Sequence, residues 1–314
     1  MEKGKALVIG GCGFIGSNIV GSLSSIEWDV VDDLSLGVLE NLPKRDSVSF
    51  ERMNFADRKK LFGFVKASHK KRPYDFFMMQ NGPSSNPMYY PSPFEPYREL
   101  VLGSINVFDL ARELDVKRVI YASTSSIYGG KGGAHVESEP IVPPNFYSVA
   151  KHSVEEMAGN YYDTYGVASV GFRYFSVYGP QERHKGKYAN IISQFLWDML
   201  DGKAPVIYGD GSQTRDFTYV TDVVQANRLA IDYGESGAHI FNVGTGMSFS
   251  FRDIVDLLNK ALGTSIKARY VDNEISNYVA HTLADISKAR DELGFEPTVA
   301  LGEGIGKLVD YYKR

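Results

Sequence analysis

One cysteine, Cys12, stands among 314 residues. No disulfide can therefore close within the chain, and a reducing, cytoplasmic setting is the expectation. Charge of one sign is equally scarce. A formal net charge of −4 and a pI near 5.9 give no basic footprint for nucleic acid or for an anionic membrane surface. No apolar run approaches the ~18 residues that a bilayer-spanning helix needs. Residues 1–5 lead straight into strand-like Ala6-Leu7-Val8-Ile9, too short a lead for a secretory signal. A soluble protein follows. The histidines at 69, 135, 152, 184, 239 and 281 form no His-x-x-x-His or Cys/His cluster, so no metal site is expected. His184, in the loop 181–187, reads as solvated. Internal repeats, low-complexity segments and a flexible interdomain linker are missing as well.

What is present is a regular alternation. Apolar runs at 6–9, 29–31, 48–53, 74–79 and 118–122 read as buried parallel strands. Helical spacing fills 14–25, 58–70 and 104–114 between them, and Ile105, Phe108, Ala111 and Leu114 share one face. Repeated β-α-β units of this kind predict an α/β protein with a Rossmann-type, doubly wound parallel sheet. Five prolines within 81–96 and the glycine- and proline-rich stretch 129–144 predict two long surface loops. A helix over 148–165 and a strand over 168–174 follow. Beyond them lie helices near 188–200, 222–232, 251–262, 286–293 and 301–312, with short strands around Val206 and Phe217 and another at 239–243. The expected division is a dinucleotide-binding unit over 1–174, with a return around 217–244, and a smaller C-terminal α/β substrate lobe over 175–314.

Gly10-Gly11-Cys12-Gly13-Phe14-Ile15-Gly16 follows the first strand and opens the first helix. Gly10, Gly13 and Gly16 suit a tight turn, close approach of a pyrophosphate and close helix–sheet contact. Phe14 and Ile15 then begin the helix whose N-terminus faces the phosphates. Asp32 and Asp33 end the second strand. A carboxylate there accepts ribose hydroxyls and repels an additional phosphate, which makes NAD the expected cofactor rather than NADP.

Ser123 and Thr124 end the apolar strand at 118–122, where hydroxyls point into the ligand crevice of a parallel sheet. Tyr147 and Lys151 lie four apart on a helix and project from one face. An ammonium beside a phenol favours the phenolate, which suits a group that takes and returns a proton. Tyr-x-x-x-Lys alone is weak. Joined to the glycine turn and the hydroxyl pair, it predicts a hydride-transfer site.

Taken in order, these motifs resemble the extended short-chain dehydrogenase/reductase superfamily, in particular its nucleotide-sugar epimerases and dehydratases. The match continues through Ser-Thr-Ser-Ser-Ile-Tyr-Gly at 123–129, Arg-Tyr-Phe-Ser-Val-Tyr-Gly-Pro at 173–180, Gly-Asp-Gly-Ser-Gln-Thr-Arg-Asp-Phe at 209–217 and Phe-Asn-Val-Gly at 241–244. Ser125 and Ser126 stand where water-eliminating members carry an acidic pair. The pattern is thus most similar to 4-epimerases such as UDP-galactose 4-epimerase.

The resemblance implies roles. Tyr147 would take the proton of the sugar's 4-hydroxyl as hydride leaves carbon 4 for NAD, and Thr124 would hold that hydroxyl. Lys151 would lower the tyrosine pKa and hold the nicotinamide ribose. Ser123 and Ser176 would contact the substrate, Asn54 would serve the adenine, and Arg215 would clamp the diphosphate of the nucleotide-sugar. A homodimer through helices around 99–114 and 148–165 is implied too. Several positions depart from the family pattern: Ile9, Cys12, Met79 to Pro83, Leu100 and Ser176. They bear on the substrate more than on the redox chemistry. Two rival functions remain open at this point: an NAD-dependent sugar-nucleotide 4-dehydrogenase that releases its keto-sugar, and a non-catalytic NAD-binding regulator.

Overall fold

The computed structural model describes residues 4–130, 132–273 and 279–313. Strands β1 (Lys5–Ile9), β2 (Glu27–Asp32), β3 (Val48–Arg52), β4 (Phe76–Met79), β5 (Arg118–Thr124) and β6 (Ser169–Tyr174) build the main sheet. After β7 (Val206–Tyr208) and β8 (Thr214–Asp216), β9 (Ala238–Val243) completes it. The strand order is β3-β2-β1-β4-β5-β6-β9, and each neighbouring pair runs parallel. The order reverses between β1 and β4. That is the switch point beyond which a doubly wound sheet binds its ligands.

Side-chain parity divides the core. Ala6 and Val8 of β1 face one cluster with Val30, Phe172 and Phe241, covered by α1 (Phe14–Ser22) and by residues of the helix Val220–Asp232, while Leu7 and Ile9 face the other. Leu61, Leu110 and Val154 of α2 (Arg58–Lys71), α3 (Phe94–Glu113) and α4 (Phe146–Tyr165) fill that second side. Because both faces are covered, the strands read as unbroken apolar runs. A third cluster holds Phe195 of α5 (Ile191–Leu200), Ile254 of α7 (Phe251–Leu262) and Ile305 of α9 (Leu301–Tyr312). Between them in the chain, α6 (Val220–Asp232) returns to pack on α1, and β9 pairs with β6. Short strand pairs border this region: β8 is antiparallel to β10 (Ser248–Ser250), and β7 is parallel to β11 (Arg269–Val271). The remaining helix, α8 (Ser287–Leu293), lies against β9.

Two helix starts differ most from the sequence expectation. The helix expected over 104–114 begins at Phe94, so 81–96 is not loop throughout. Pro96 falls in the first turn, where an absent N–H removes no intrahelical bond. The helix expected from 188 begins at Ile191, capped by Asn190 Oδ1 on the Ile192 N–H at 3.0 Å.

Candidate functional site

Two adjoining cavities open at the C-terminal ends of β1, β4 and β5. The first, about 390 Å³, is lined by Gly10, Gly13, Phe14, Ile15, Asp32 and Asp33, with Met53, Phe55, Asn81 and Glu99 opposite. Its glycine turn admits no substitute. Gly10 has φ +78° and an added Cβ would lie 2.8 Å from Asn81 Cα, while a Cβ on Gly16 would lie 2.3 Å from the Gly10 carbonyl oxygen. Backbone N–H groups at the start of α1 thus stand bare, since its N-cap, Gly13, carries no capping side chain.

Asp32 is anchored in that turn, accepting from Cys12 N at 3.0 Å and Leu34 N at 2.9 Å. Burial pushes its carboxyl above the usual range, the two N–H donors oppose this, and the charge of Asp33 adds to the rise. Asp33 accepts from Ser35 N at 2.9 Å and from the Asn54 amide at 3.2 Å. Each carboxylate keeps lone pairs free for ribose hydroxyls, and no arginine is among the residues lining the cavity. The walls therefore fit an unphosphorylated dinucleotide. Asn54 itself lies outside the lining. Its amide is committed to Asp33 and to Glu99 at 2.9 Å, and its oxygen to Ala56 N.

The second cavity, about 300 Å³, shares Phe14, Ile15, Gln80, Asn81 and Lys185 with the first and brings Ser123, Thr124, Tyr147, Lys151 and Ser176 together. A capping box starts α4: Asn145 Oδ1 accepts from Ser148 N at 3.0 Å and Ser148 Oγ from Asn145 N at 3.2 Å. This sets Tyr147 in the first turn and Lys151 one turn on. Thr124 caps the 3₁₀ turn Ser125–Tyr128 by accepting from Ser126 N, and its side chain hydrogen-bonds the Tyr147 phenol. Burial pushes that phenol up to about 12, with Thr124 pulling the other way. Burial pushes the Lys151 ammonium down to about 8, opposed by the charge of Glu155. Lys151 Nζ donates to the carbonyls of Ala122 at 2.9 Å and Asn81 at 3.3 Å. Among the groups acting on the Tyr147 phenol in the protein alone, the lysine does not figure.

Lys151 also makes a stability prediction. The folded chain gives up this proton near pH 8 and the unfolded chain near 10.5, so between those values the unfolded chain binds more protons and stability rises with pH. Below that window the buried ammonium is a standing cost. Lys151→Met should raise the cofactor-free stability at neutral pH by about 1–3 kcal/mol, the gain fading as pH climbs toward 10.5. Urea unfolding at two pH values reads this directly.

Two expected site residues, Ser123 and Arg215, are engaged by other partners in the structure. Ser123 Oγ donates to the buried carboxylate of Glu155, which Arg173 holds through Nη2 at 2.8 Å and Nε at 3.1 Å. Its hydroxyl is drawn under the site rather than into it. Arg215 lines neither cavity. Its guanidinium donates to the carbonyls of Thr214 at 2.8 Å, Ala280 at 2.9 Å and Val279 at 2.5 Å, and lies over the Phe251 ring. Ser176 does line the second cavity, in a left-handed conformation at φ +28°.

His184 is not solvated: it is half-buried, lines the first cavity, and has Nδ1 3.3 Å from the Asn41 amide. Burial and the charge of Lys185 hold its imidazole below the usual value. Glu155, Arg173 and Lys185 went unremarked as site residues in the sequence. Glu155 alone had a local signal, since it repeats the four-residue spacing of Tyr147 and Lys151. The unusual Gln80 has a partner set of its own, donating to Asn227 Oδ1 at 3.0 Å and accepting from the Tyr174 hydroxyl at 3.2 Å. Among the described residues no three of His, Cys, Asp and Glu gather as around a metal ion, and no helix is long and apolar enough to cross a membrane.

Comparison with known proteins adds to this geometry. The family model described as NAD dependent epimerase/dehydratase family matches residues 6–244. A putative UDP-glucose 4-epimerase of Methanocaldococcus jannaschii is 33% identical, with 98% of each chain covered. Among solved structures, a UDP-N-acetylglucosamine 4-epimerase of Methanobrevibacter ruminantium, in complex with UDP-N-acetylmuramic acid, superposes with a TM-score of 0.91. It is 29% identical, with 100% of this chain and 99% of that one covered. The UDP-glucose 4-epimerase of Thermus thermophilus complexed with NAD gives a TM-score of 0.89 at 28% identity, over 98% of this chain and 99% of the other.

Proposed function

From the premise that this chain belongs to the NAD-dependent epimerase/dehydratase family, we propose that it is an NAD-dependent UDP-sugar 4-epimerase, with UDP-glucose and UDP-galactose as the leading pair. One observation carries the reading: Thr124, Tyr147 and Lys151 share a cavity continuous with the dinucleotide cavity, while Ser125 and Ser126 supply no acid for elimination. When bound, NAD would supply the hydride acceptor for carbon 4 and, once reduced, the donor that returns the same hydride. The chain's own residues do the rest. Thr124 orients the 4-hydroxyl, and Tyr147 accepts its proton as the carbon–hydrogen bond breaks. Lys151 holds positive charge beside the reacting atoms. The 4-keto sugar then turns, hydride returns to the opposite face, and Tyr147 gives the proton back to the oxygen. The net reaction is redox-neutral.

In this assignment residues 1–174, with 217–244, hold the cofactor, and 175–314 hold the nucleotide-sugar. Asp32 and Asp33 serve the adenosine ribose, Ser176 the sugar-nucleotide. Two further features support a homodimer and a cytoplasmic home. Leu102 of α3 and Phe146, Val149 and Tyr165 of α4 are exposed apolar side chains on packed neighbouring helices. Cys12 is a buried free thiol.

Incubating the protein separately with UDP-galactose and UDP-N-acetylglucosamine, with chromatography of the products and continuous reading of reduced nicotinamide absorbance, tests the reading. Conversion of at least one to its carbon-4 epimer without lasting reduced cofactor is expected. Reduced cofactor accumulating in proportion to sugar consumed would point instead to the dehydrogenase.

A further inference from the structure

We propose that Lys185 is a phosphate-binding residue, its ammonium meeting the cofactor pyrophosphate across the N-terminus of α1. The inference rests on the NAD-binding reading and extends it to a residue outside the glycine fingerprint. It starts from an imbalance of charge. The first cavity is walled by four carboxylates, Asp32, Asp33, Glu95 and Glu99, and a pyrophosphate brings about two further negative charges. A helix N-terminus answers with only about half a positive charge. Among the described residues lining that cavity, Lys185 is the one permanent cation, and it lines the second cavity as well. It therefore stands at the junction of the two, where the middle of a dinucleotide running from Asp32 to Tyr147 must pass.

Its position is built, not incidental. Nζ lies 5.4 Å from the ring centre of Phe14, the first residue of α1. It donates to Glu182 Oε1 at 3.0 Å. Glu182 is fully buried, and its carboxylate also accepts from Asn190 N and Ser193 Oγ, each at 2.7 Å, so the anchor is fixed. The loop is stitched to α1 by Asn18 Nδ2 on Pro180 O at 3.2 Å and Ser17 Oγ on Gln181 Oε1 at 3.0 Å. Gly186, at φ +51°, breaks the 3₁₀ segment directly after the lysine. An ammonium has three donors, and Glu182 occupies one. Two remain for phosphate oxygens.

The competing account is that Lys185 only neutralises Glu182. Calorimetric titration of cofactor-stripped protein with NAD and, separately, with UDP distinguishes them. Lys185→Met should weaken NAD about tenfold, one charge-assisted hydrogen bond at a wet site, with UDP affinity unchanged. Lys185→Arg should keep NAD affinity within about twofold. Glu182→Gln/Lys185→Met, which leaves no orphaned carboxylate, should show the same tenfold loss. Unchanged NAD affinity in Lys185→Met overturns the proposal. So does a loss that vanishes in the double variant, or one shared equally by UDP. Wild-type protein that fails to bind NAD at all overturns the reading beneath it, and the two failures are distinct.

Discussion

Tyr147→Phe is expected to lower kcat for carbon-4 epimerisation by about 10³-fold, within the range that positioned acid–base groups contribute, while leaving NAD affinity and the fold intact. The phenol oxygen is the group on the second cavity's wall placed to carry the proton. Lys151 is tied to two carbonyls, and Thr124 is a hydroxyl already accepting from Ser126 N. Removing one oxygen leaves the ring packed on Tyr89, 5.8 Å between centroids, so the melting temperature should move little. The pH profile carries the sharper test. The phenol sits near 12 in the protein alone, and activity near neutrality requires that value to fall when the cationic nicotinamide binds beside it. Wild-type kcat/KM should therefore rise along a limb well below 12, and the residual activity of Tyr147→Phe should lack that limb. A variant that keeps more than about a tenth of wild-type kcat would move the proton to another titratable group of that cavity, Lys151 among them.

The parts of this site that were legible in the sequence are those fixed by local geometry. Tyr147 and Lys151 meet because four residues make one helical turn, and a capping pair just upstream sets where that turn begins. Gly10 and Gly16 follow from the steric needs of a turn that any strand–helix unit of this type shares. The doubly wound parallel sheet, though not its strand order, was implied by unbroken apolar strands alternating with helical spacing. Ser123 went differently because its direction is set by Glu155 and by Arg173, a residue on another strand. The carbonyl partners of Arg215, at 279 and 280, are likewise contacts that no spacing rule connects to it. His184 and Lys185 were hidden for the same reason. Their loop looks solvated until α1 is seen to hold it across the cavity mouth. The prolines near 93–96 concealed the start of α3, since a proline in a first turn and a proline in a loop read alike.

Arg173→Met should destabilise the fold by about 3–5 kcal/mol, the loss expected when one partner of a buried ion pair is removed. Both side chains are almost wholly buried, Arg173 at 5% and Glu155 at 3% exposure. The arginine does more than neutralise Glu155: Nη1 donates to the Tyr128 hydroxyl at 2.8 Å, and that hydroxyl donates to Asn242 Oδ1 at 2.7 Å. Burial alone would push the Glu155 carboxyl up, yet hydrogen bonds from Arg173 and Ser123, with the His152 ring 3.5 Å away, hold it below the usual value. A depressed carboxylate contributes stability above its unfolded pKa of 4.5 and loses it as pH falls. The deficit of Arg173→Met, measured by urea unfolding, should accordingly shrink in acid, where the orphaned carboxyl can protonate. Glu155→Gln/Arg173→Met should recover part of the loss, because no unpaired charge remains. A deficit under about 1 kcal/mol, the size of an exposed pair, would mean the network is solvated in practice. Because Ser123 hangs from this carboxylate and Thr124 is its neighbour on β5, the same variant should also lower kcat more than it changes KM for the UDP-sugar. The ion pair would then support the floor of the site from beneath, through the strand that carries its hydroxyls.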